Sequence, residues 1–488
     1  MIYRKEGFME ISLQNIGIVK NSQLTLNGLT VITGKNNSGK STVGKALYSI
    51  LDSVCNIQQK AESDKRVYIC SQLDMIQSVL ETFRFYRLPL RSQETYPIIS
   101  QFISKTYWSK KTLSSVELFA HDFQRELSKF DTSLFEDNPS FVSYRKNYRH
   151  PLSSSEEGPL SSIFDSERER AFTILSKMFD AIEKDPELIS YARESIDQTL
   201  NFEFSNQIQP VRTPHEKSHI KLSDDQSIYF DFDIQDNHVS GDESPAFLSS
   251  PYKKVYFIDS PFILDDEPFL QHGLFGSDAY ENGTFFNHSR LKKHSEKLKS
   301  ILRSGKNTSV FEQTVINDSL RNIKNAIDSA LPGSFDFSSD GEYYIQNDVK
   351  LSFSNLATGS KLFSILKILL EKGELDDTTM LILDEPEAHL HPQWQNLFAE
   401  IIMMLVKQLG VSVLLTTHSP NFMLAIDAYM RKYQLSEKSS FYQTSLLPDG
   451  FVQYQCVNND MDVIYRDFLQ YLSEMKLLRN KYLYDDED

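Results

Sequence analysis

Gly34-Lys35-Asn36-Asn37-Ser38-Gly39-Lys40-Ser41-Thr42 constrains this chain more than any other segment, because it stands between an apolar run and a helix-like stretch. Leu29-Thr30-Val31-Ile32-Thr33 ahead of it reads as a buried strand, and Val43 to Ile57 behind it as a helix. Strand, glycine-rich turn and helix in that order make a phosphate-binding loop. The glycines let the backbone curl so that its N–H groups face an anion, and the helix start adds its positive end. Lys40 is placed to reach the β- and γ-phosphate oxygens and Ser41 to ligate Mg²⁺. Gly34, Asn36, Asn37, Ser38, Gly39, Lys40, Ser41 and Thr42 are therefore assigned to binding a nucleoside triphosphate. The plain alternative, a glycine-rich turn, is disfavoured by the apolar strand in front of it.

With 488 residues, 40% of them hydrophobic and 12% aromatic, the chain can build two or three domains with real cores, which excludes a disordered protein. No stretch approaches the twenty apolar residues of a membrane span, and Met1 to Glu6 lacks the layout of a signal peptide, so a cytoplasmic protein without a membrane partner is expected. Cys55, Cys70 and Cys456 have no metal-ligand spacing and read as packing residues. A net charge of −16 argues against a surface uniformly attractive to DNA, although local patches remain open to it. Two such patches are Tyr144-Arg145-Lys146-Asn147-Tyr148-Arg149-His150 and the run from Arg290 through Lys292, Lys293, Lys297, Lys299 and Arg303 to Lys306. Each reads either as a solvated face or as a groove for an acidic partner. Asp485 to Asp488 reads as a frayed acidic tail.

Residues 9 to 33 predict two or three strands. From 61 to 330 the pattern changes to a large, mainly helical insertion with some strands, broken by the turn-rich stretch Pro151 to Pro159. It includes helices over Glu167–Lys184 and Glu187–Thr199, and strands over Ile228–Ile234 and Lys254–Ile258. The last of these strands is stopped by Asp259-Ser260-Pro261. No sustained heptads and no internal repeat are present, so a long coiled-coil arm is not expected. After residue 330 order returns: a hairpin about Asp340-Gly341, a strand over Val349–Phe353, a helix after Gly359, and two buried strands, Met380–Leu383 and Val411–Thr416. The expected division is 1–60 and 331–430 for the two parts of one α/β domain, 61–330 for the insertion, and 431–488 for a carboxyl-terminal extension.

Met380 to Leu383 delivers Asp384 and Glu385 to the carboxyl end of a strand, where open α/β sheets place ligands. Asp384 suits the Mg²⁺ shell, and Glu385 is placed to polarise the water that attacks the γ-phosphate. His389 and His391 do not read as a metal pair, since residues two apart on a helix face different ways and no third ligand follows at a zinc-like interval.

Taken together, Gly34 to Thr42, Leu383-Asp384-Glu385-Pro386-Glu387-Ala388-His389-Leu390-His391-Pro392 and Leu415-Thr416-Thr417-His418-Ser419-Pro420 resemble the ABC-type ATPases of the RecF, SMC and OLD kind, over residues 9 to 57 and 334 to 430. The resemblance implies a P-loop ABC-type ATPase head with a mixed sheet and flanking helices, using ATP and Mg²⁺. In it Asp384 is the magnesium-associated acid, Glu385 the catalytic base and His418 the catalytic switch histidine, while Glu387 to His391 cross to a second subunit. Leu356-Ala357-Thr358-Gly359-Ser360-Lys361 stands where that group carries its signature, so Gly359 and Ser360 are expected to touch ATP held by another protomer of a head-to-tail dimer or higher homo-oligomer. The motif is degenerate, with Ala357 at a common serine position, and no glutamine loop stands out.

A narrower resemblance is to stand-alone ATPases of bacterial anti-phage systems, such as the AriA component of PARIS and the PtuA component of Septu. These share an Ala-Thr-Gly signature, a Glu-x-His-Leu-His-Pro loop and a Thr-His-Ser-Pro strand end. It implies a nucleotide-gated sensor that controls a partner effector nuclease of the TOPRIM type in answer to a phage trigger protein. The alternative is a RecF- or SMC-like repair ATPase acting directly on DNA.

Overall fold

The computed structural model describes residues 8–26, 28–85, 112–131, 160–240, 250–265, 293–304, 318–338 and 341–484. The patch at 144–150, the turn-rich stretch 151–159, the acidic tail and part of the second basic run, including Lys292 and Lys306, lie outside the described residues. The strands are β1 (Met9–Ile16), β2 (Val19–Leu26), β3 (Leu29–Thr33), β4 (Ser218–Ser223), β5 (Ile228–Gln235), β6 (His238–Ser240), β7 (Lys254–Ile258), β8 (Ser334–Ser338), β9 (Gly341–Gln346), β10 (Val349–Ser352), β11 (Thr379–Asp384), β12 (Ser412–Thr417), β13 (Ser439–Leu446) and β14 (Val452–Cys456).

Among the described residues, eleven of these strands join in the order β6-β5-β4-β1-β2-β14-β13-β3-β12-β11-β7, and the other three form the small sheet β10-β9-β8. The half running from β13 through β3, β12 and β11 to β7 is parallel, and the half from β6 to β2 is antiparallel. The parallel half is covered on both faces, which explains its continuous apolar runs. Ile32, Ile382 and Leu414 point to one side, among Val43, Leu47 and Ile50 of the helix Lys40–Val54. Val31, Leu381, Leu383, Val413 and Leu415 point to the other, among Phe363 and Leu366 of the helix Thr358–Glu371, Phe398 and Ile402 of the helix Pro392–Met404, and Phe422 of the helix Pro420–Lys432.

The contacts divide the chain into two units. The described parts of Met1–Ile57, Ile189–Leu274 and Asn287–Asp488 form the first, which holds both sheets. The described residues of the second fall within Gln58–Leu188. The segments β4, β5, β6 and β7 were expected within the insertion, yet β4 pairs with β1 and β5, β5 with β6, and β7 with β11, so they belong to the main sheet. The expected extension 431–488 likewise supplies β13 and β14, with β13 hydrogen-bonded beside β3.

The second unit is helical by its apolar spacing. Val116, Ala120, Phe123 and Leu127 line one side of the helix Leu113–Ser128, whose start is capped by the Thr112 hydroxyl accepting from the Ser115 N–H at 3.3 Å. They share a core with Ile69, Leu73 and Ile76 of the helix Ile57–Phe85 and with Ala171, Leu175 and Met178 of the helix Leu160–Glu183.

Candidate nucleotide site

Parallel pairing in register brings four loops to one edge of the sheet: the phosphate loop after β3, Asp384-Glu385 after β11, His418 after β12 and Asp259-Ser260 after β7. Gly39 closes the phosphate loop with φ +73°, and the helix Lys40–Val54 begins there with no side-chain cap. Its first N–H groups are thus left for an anion. The Lys40 ammonium, 4% exposed as a residue, donates to the carbonyls of Gly34 (3.1 Å) and Lys35 (2.8 Å) and pairs with Glu385 Oε1 at 3.0 Å. The loop is also held from behind. The Tyr454 hydroxyl donates to the Gly39 carbonyl at 2.6 Å, and the Thr444 hydroxyl to Ser38 Oγ at 2.9 Å. Burial pushes the Tyr454 hydroxyl well above the ordinary tyrosine range, so it stays a donor.

Glu385 adopts φ +48° and ψ +49°, a left-handed conformation that costs a side-chain-bearing residue on the order of 1 kcal/mol or more and concentrates at functional sites. Its N–H donates to the Thr416 carbonyl and to Thr416 Oγ1, both at 3.1 Å, while the Thr416 hydroxyl donates to Asp384 Oδ1. One β12 threonine thereby fixes both acidic residues. Glu385 Oε2 stands 3.1 Å from His418 Nδ1, so Lys40, Glu385 and His418 form one chain of contacts. Glu387 is buried. Its Oε1 accepts from the Thr417 hydroxyl and from the His418 N–H (3.3 Å), yet burial dominates and holds its carboxyl above the usual range.

A cleft of about 360 Å³ opens at Asp384 and Glu385. Asn36, Asn37 and Ser41 of the phosphate loop line it together with Asp384, Glu385, Asp259 and Ser260. The residues present fit a triphosphate with Mg²⁺: an uncapped helix start, a buried ammonium, and a serine hydroxyl that lines the same cleft as the Asp384 carboxylate. Of the expected site residues, Asn36, Asn37, Ser41, Asp384 and Glu385 line the cleft, whereas Gly34, Ser38, Gly39, Lys40, Thr42, His418, Gly359 and Ser360 are not among its lining residues, although Leu362 of the Gly359 helix is. A Cβ on Gly359 would stand 2.9 Å from Trp394 Cε3 and 3.1 Å from Leu390 Cδ2, so the close approach this glycine permits here is to its own chain's indole ring. The helix Thr358–Glu371 starts at Ala357 without a side-chain cap. His391 Nδ1 accepts from Gln393 N–H at 3.4 Å and caps the helix Pro392–Met404.

Asp259 was read from the sequence only as a strand stop. Here it ends β7 at the cleft, and no glutamine is among the lining residues. Asp259 Oδ1 lies 3.1 Å from Nε2 of His294, whose Nδ1 lies 2.8 Å from Glu203 Oε2. Burial works against the charge on His294, but the Asp259 and Glu203 carboxylates outweigh it and hold the imidazole up at about 9. Burial raises the Asp259 carboxyl, but His294, a backbone N–H and the Lys45 charge together outweigh it, and the net direction is down.

A family model described as AAA ATPase domain matches residues 9–423. No curated protein matches the chain. Among solved structures, the SMC head domain from Thermotoga maritima is similar at 10% identity and a TM-score of 0.34, with 92% of this chain and 98% of that one covered. The Smc head domain with a coiled coil and joint from Pyrococcus yayanosii is similar at 11% identity and a TM-score of 0.32, covering 94% and 99%. The Smc head domain with an extended coiled coil from Pyrococcus furiosus, bound to the C-terminal domain of ScpA, gives 9% and 0.30, covering 96% and 99%.

Proposed function

The chain belongs to the AAA ATPase domain family, and from that premise we propose that it binds and hydrolyses ATP and uses the nucleotide state to gate an oligomer. The observation that carries the chemistry is the convergence of Lys40, Ser41, Asp384 and Glu385 on one side of the sheet, with His418 in contact with Glu385. Ser41 and Asp384 would hold Mg²⁺, which would neutralise phosphate charge when bound. Lys40 leaves Glu385 for phosphate oxygens as the nucleotide enters. The freed Glu385 carboxylate accepts a proton from the attacking water, and His418 at Nδ1 holds that carboxylate in place.

The heads associate head to tail, with the uncapped start of the helix Thr358–Glu371 offered to the ATP of a neighbour. ATP favours the associated form only by its differential affinity for it. The closed oligomer restrains or releases an effector nuclease of the TOPRIM type in a bacterial anti-phage system, in answer to a phage trigger. Support for this part is the set of short features Ala357-Thr358-Gly359, Glu387 to Pro392 and Thr417 to Pro420. The net charge of −16 favours a protein partner over direct action on DNA. The test is isolation of the native complex with and without ATP, followed by its mass and the identity of co-purifying chains. A nuclease retained in a nucleotide-dependent way is expected. Salt-sensitive DNA binding with no retained protein would instead favour the repair reading. Lys40→Ala is expected to abolish ATP binding, and unchanged binding would overturn the site.

A further inference from the structure

Asp259 is the acidic residue of the cleft that the reading above leaves without a task. Its side chain is about one-third exposed, enough to present an oxygen to the cleft while Oδ1 faces His294. Behind it the arrangement is built rather than incidental. Both oxygens of the buried Glu203 carboxylate are taken by His294, Oε2 by Nδ1 at 2.8 Å and Oε1 by the backbone N–H at 3.1 Å. The imidazole is further fixed between Phe257 of β7, 4.5 Å between ring centroids, and Tyr48 of the phosphate-loop helix, 5.8 Å away edge-on. With Nδ1 committed to Glu203, the remaining nitrogen, Nε2, is buried, finds no aligned acceptor, and has the Asp259 carboxylate as its near neighbour. A buried nitrogen in that position is costly unless a charge faces it.

We propose that Asp259 is a further carboxylate of the magnesium side of the nucleotide cleft, and that His294, braced by Glu203, is the residue that positions it. This rests on the ATP and Mg²⁺ reading of the same cleft. Register supports it: Ile258 lies opposite Leu383, so Asp259 follows β7 at the level where Asp384 ends β11. Asp384 receives the Thr416 hydroxyl and Glu385 the Lys40 ammonium, while the charge facing Asp259 comes from behind the cleft wall. Such a carboxylate acts on a divalent cation directly or through one of its waters, and its buried partner sets its orientation.

The experiment is binding of a fluorescent non-hydrolysable ATP analogue, titrated with Mg²⁺ and repeated in EDTA. Asp259→Asn is expected to raise the Mg²⁺ concentration at half-saturation about tenfold, with an affinity in EDTA no weaker than the parent's, since it removes a negative charge from the cleft. His294→Gln shifts it the same way by a smaller factor, and adds nothing on the Asp259→Asn background, because it acts through that carboxylate. An unshifted Mg²⁺ dependence in Asp259→Asn would overturn the proposal, as would effects of the two substitutions that multiply. Should His294→Gln fail to fold, Asp259→Asn decides alone. Lys40→Ala separates the two readings. If it binds the analogue like the parent, the nucleotide site itself is wrong; if it does not bind while Asp259→Asn is unshifted, only Asp259 is misassigned.

Discussion

Lys40 and Glu385 neutralise each other across the cleft, Nζ to Oε1 at 3.0 Å, although they are 345 residues apart in number and serve opposite partners in the reaction. A nucleotide must take the ammonium away from this carboxylate before either can work. Glu385→Gln is therefore expected to slow hydrolysis by roughly a hundredfold or more, the worth of a general base. It should also tighten ATP binding by up to about fivefold, since the pair it removes joins a buried ammonium to a carboxylate about one-third exposed and is worth roughly 1 kcal/mol. Phosphate release and calorimetric titration measure the two effects. Unimpaired hydrolysis would remove Glu385 from the mechanism.

Tyr454→Phe deletes one hydroxyl and takes from the half-buried Gly39 carbonyl its 2.6 Å donor, leaving it the Thr42 N–H at 3.0 Å. A loss of about 0.5–1.5 kcal/mol is expected in urea unfolding, with weaker ATP binding, because the lost hydrogen bond holds the end of the phosphate loop. Thr444→Val, which releases Ser38, is expected to weaken ATP binding in the same direction. Parent-like ATP affinity in both variants would show that the loop holds its shape unaided.

The charge of His294 gives the stability a pH dependence of known sign. Its imidazole is raised to about 9 in the folded chain against 6.5 for the free group, so the folded state binds the proton more tightly. The contribution is complete below about 6.5 and drains away as pH rises through 9. Melting temperatures recorded across that window should fall for the parent and fall less for His294→Gln. Equal slopes in the two proteins would contradict the ion-pair arrangement.

Gly359→Ala brings a methyl to within 2.9 Å of Trp394 Cε3, too close for a van der Waals contact. Overpacking of this kind costs about 1–3 kcal/mol. Trp394→Phe removes the offending part of the indole, so the double variant should regain stability relative to Gly359→Ala alone. A single variant as stable as the parent would mean that the ring moves aside freely.

Legibility in the sequence followed the range of the interactions. The phosphate loop and the two strand ends at Asp384-Glu385 and Thr417-His418 were readable because each motif is local: an apolar strand, then the functional side chain within one or two residues. Asp259 was not, since Asp-Ser-Pro after a short strand is also how a strand stops. Only the register of β7 against β11 brings it to the cleft. His294 and Glu203 were hidden by distance, 91 residues separating them, and by lying at a helix start and a helix end with no motif around either. Ser439-Ser440-Phe441-Tyr442-Gln443-Thr444 lacks the apolar run of its parallel neighbours, which is why β13 did not announce itself as the strand beside β3.

That placement orders events during synthesis. β3 emerges long before its neighbours, because the strands on either side of it, β12 and β13, and the Tyr454 latch all come from beyond residue 411. Contacts closing so long a loop form late and slowly. A nascent chain carries the phosphate-loop sequence without the framework that shapes it until β12, β13 and Tyr454 have followed, and ATP becomes a ligand only once those segments have left the ribosome.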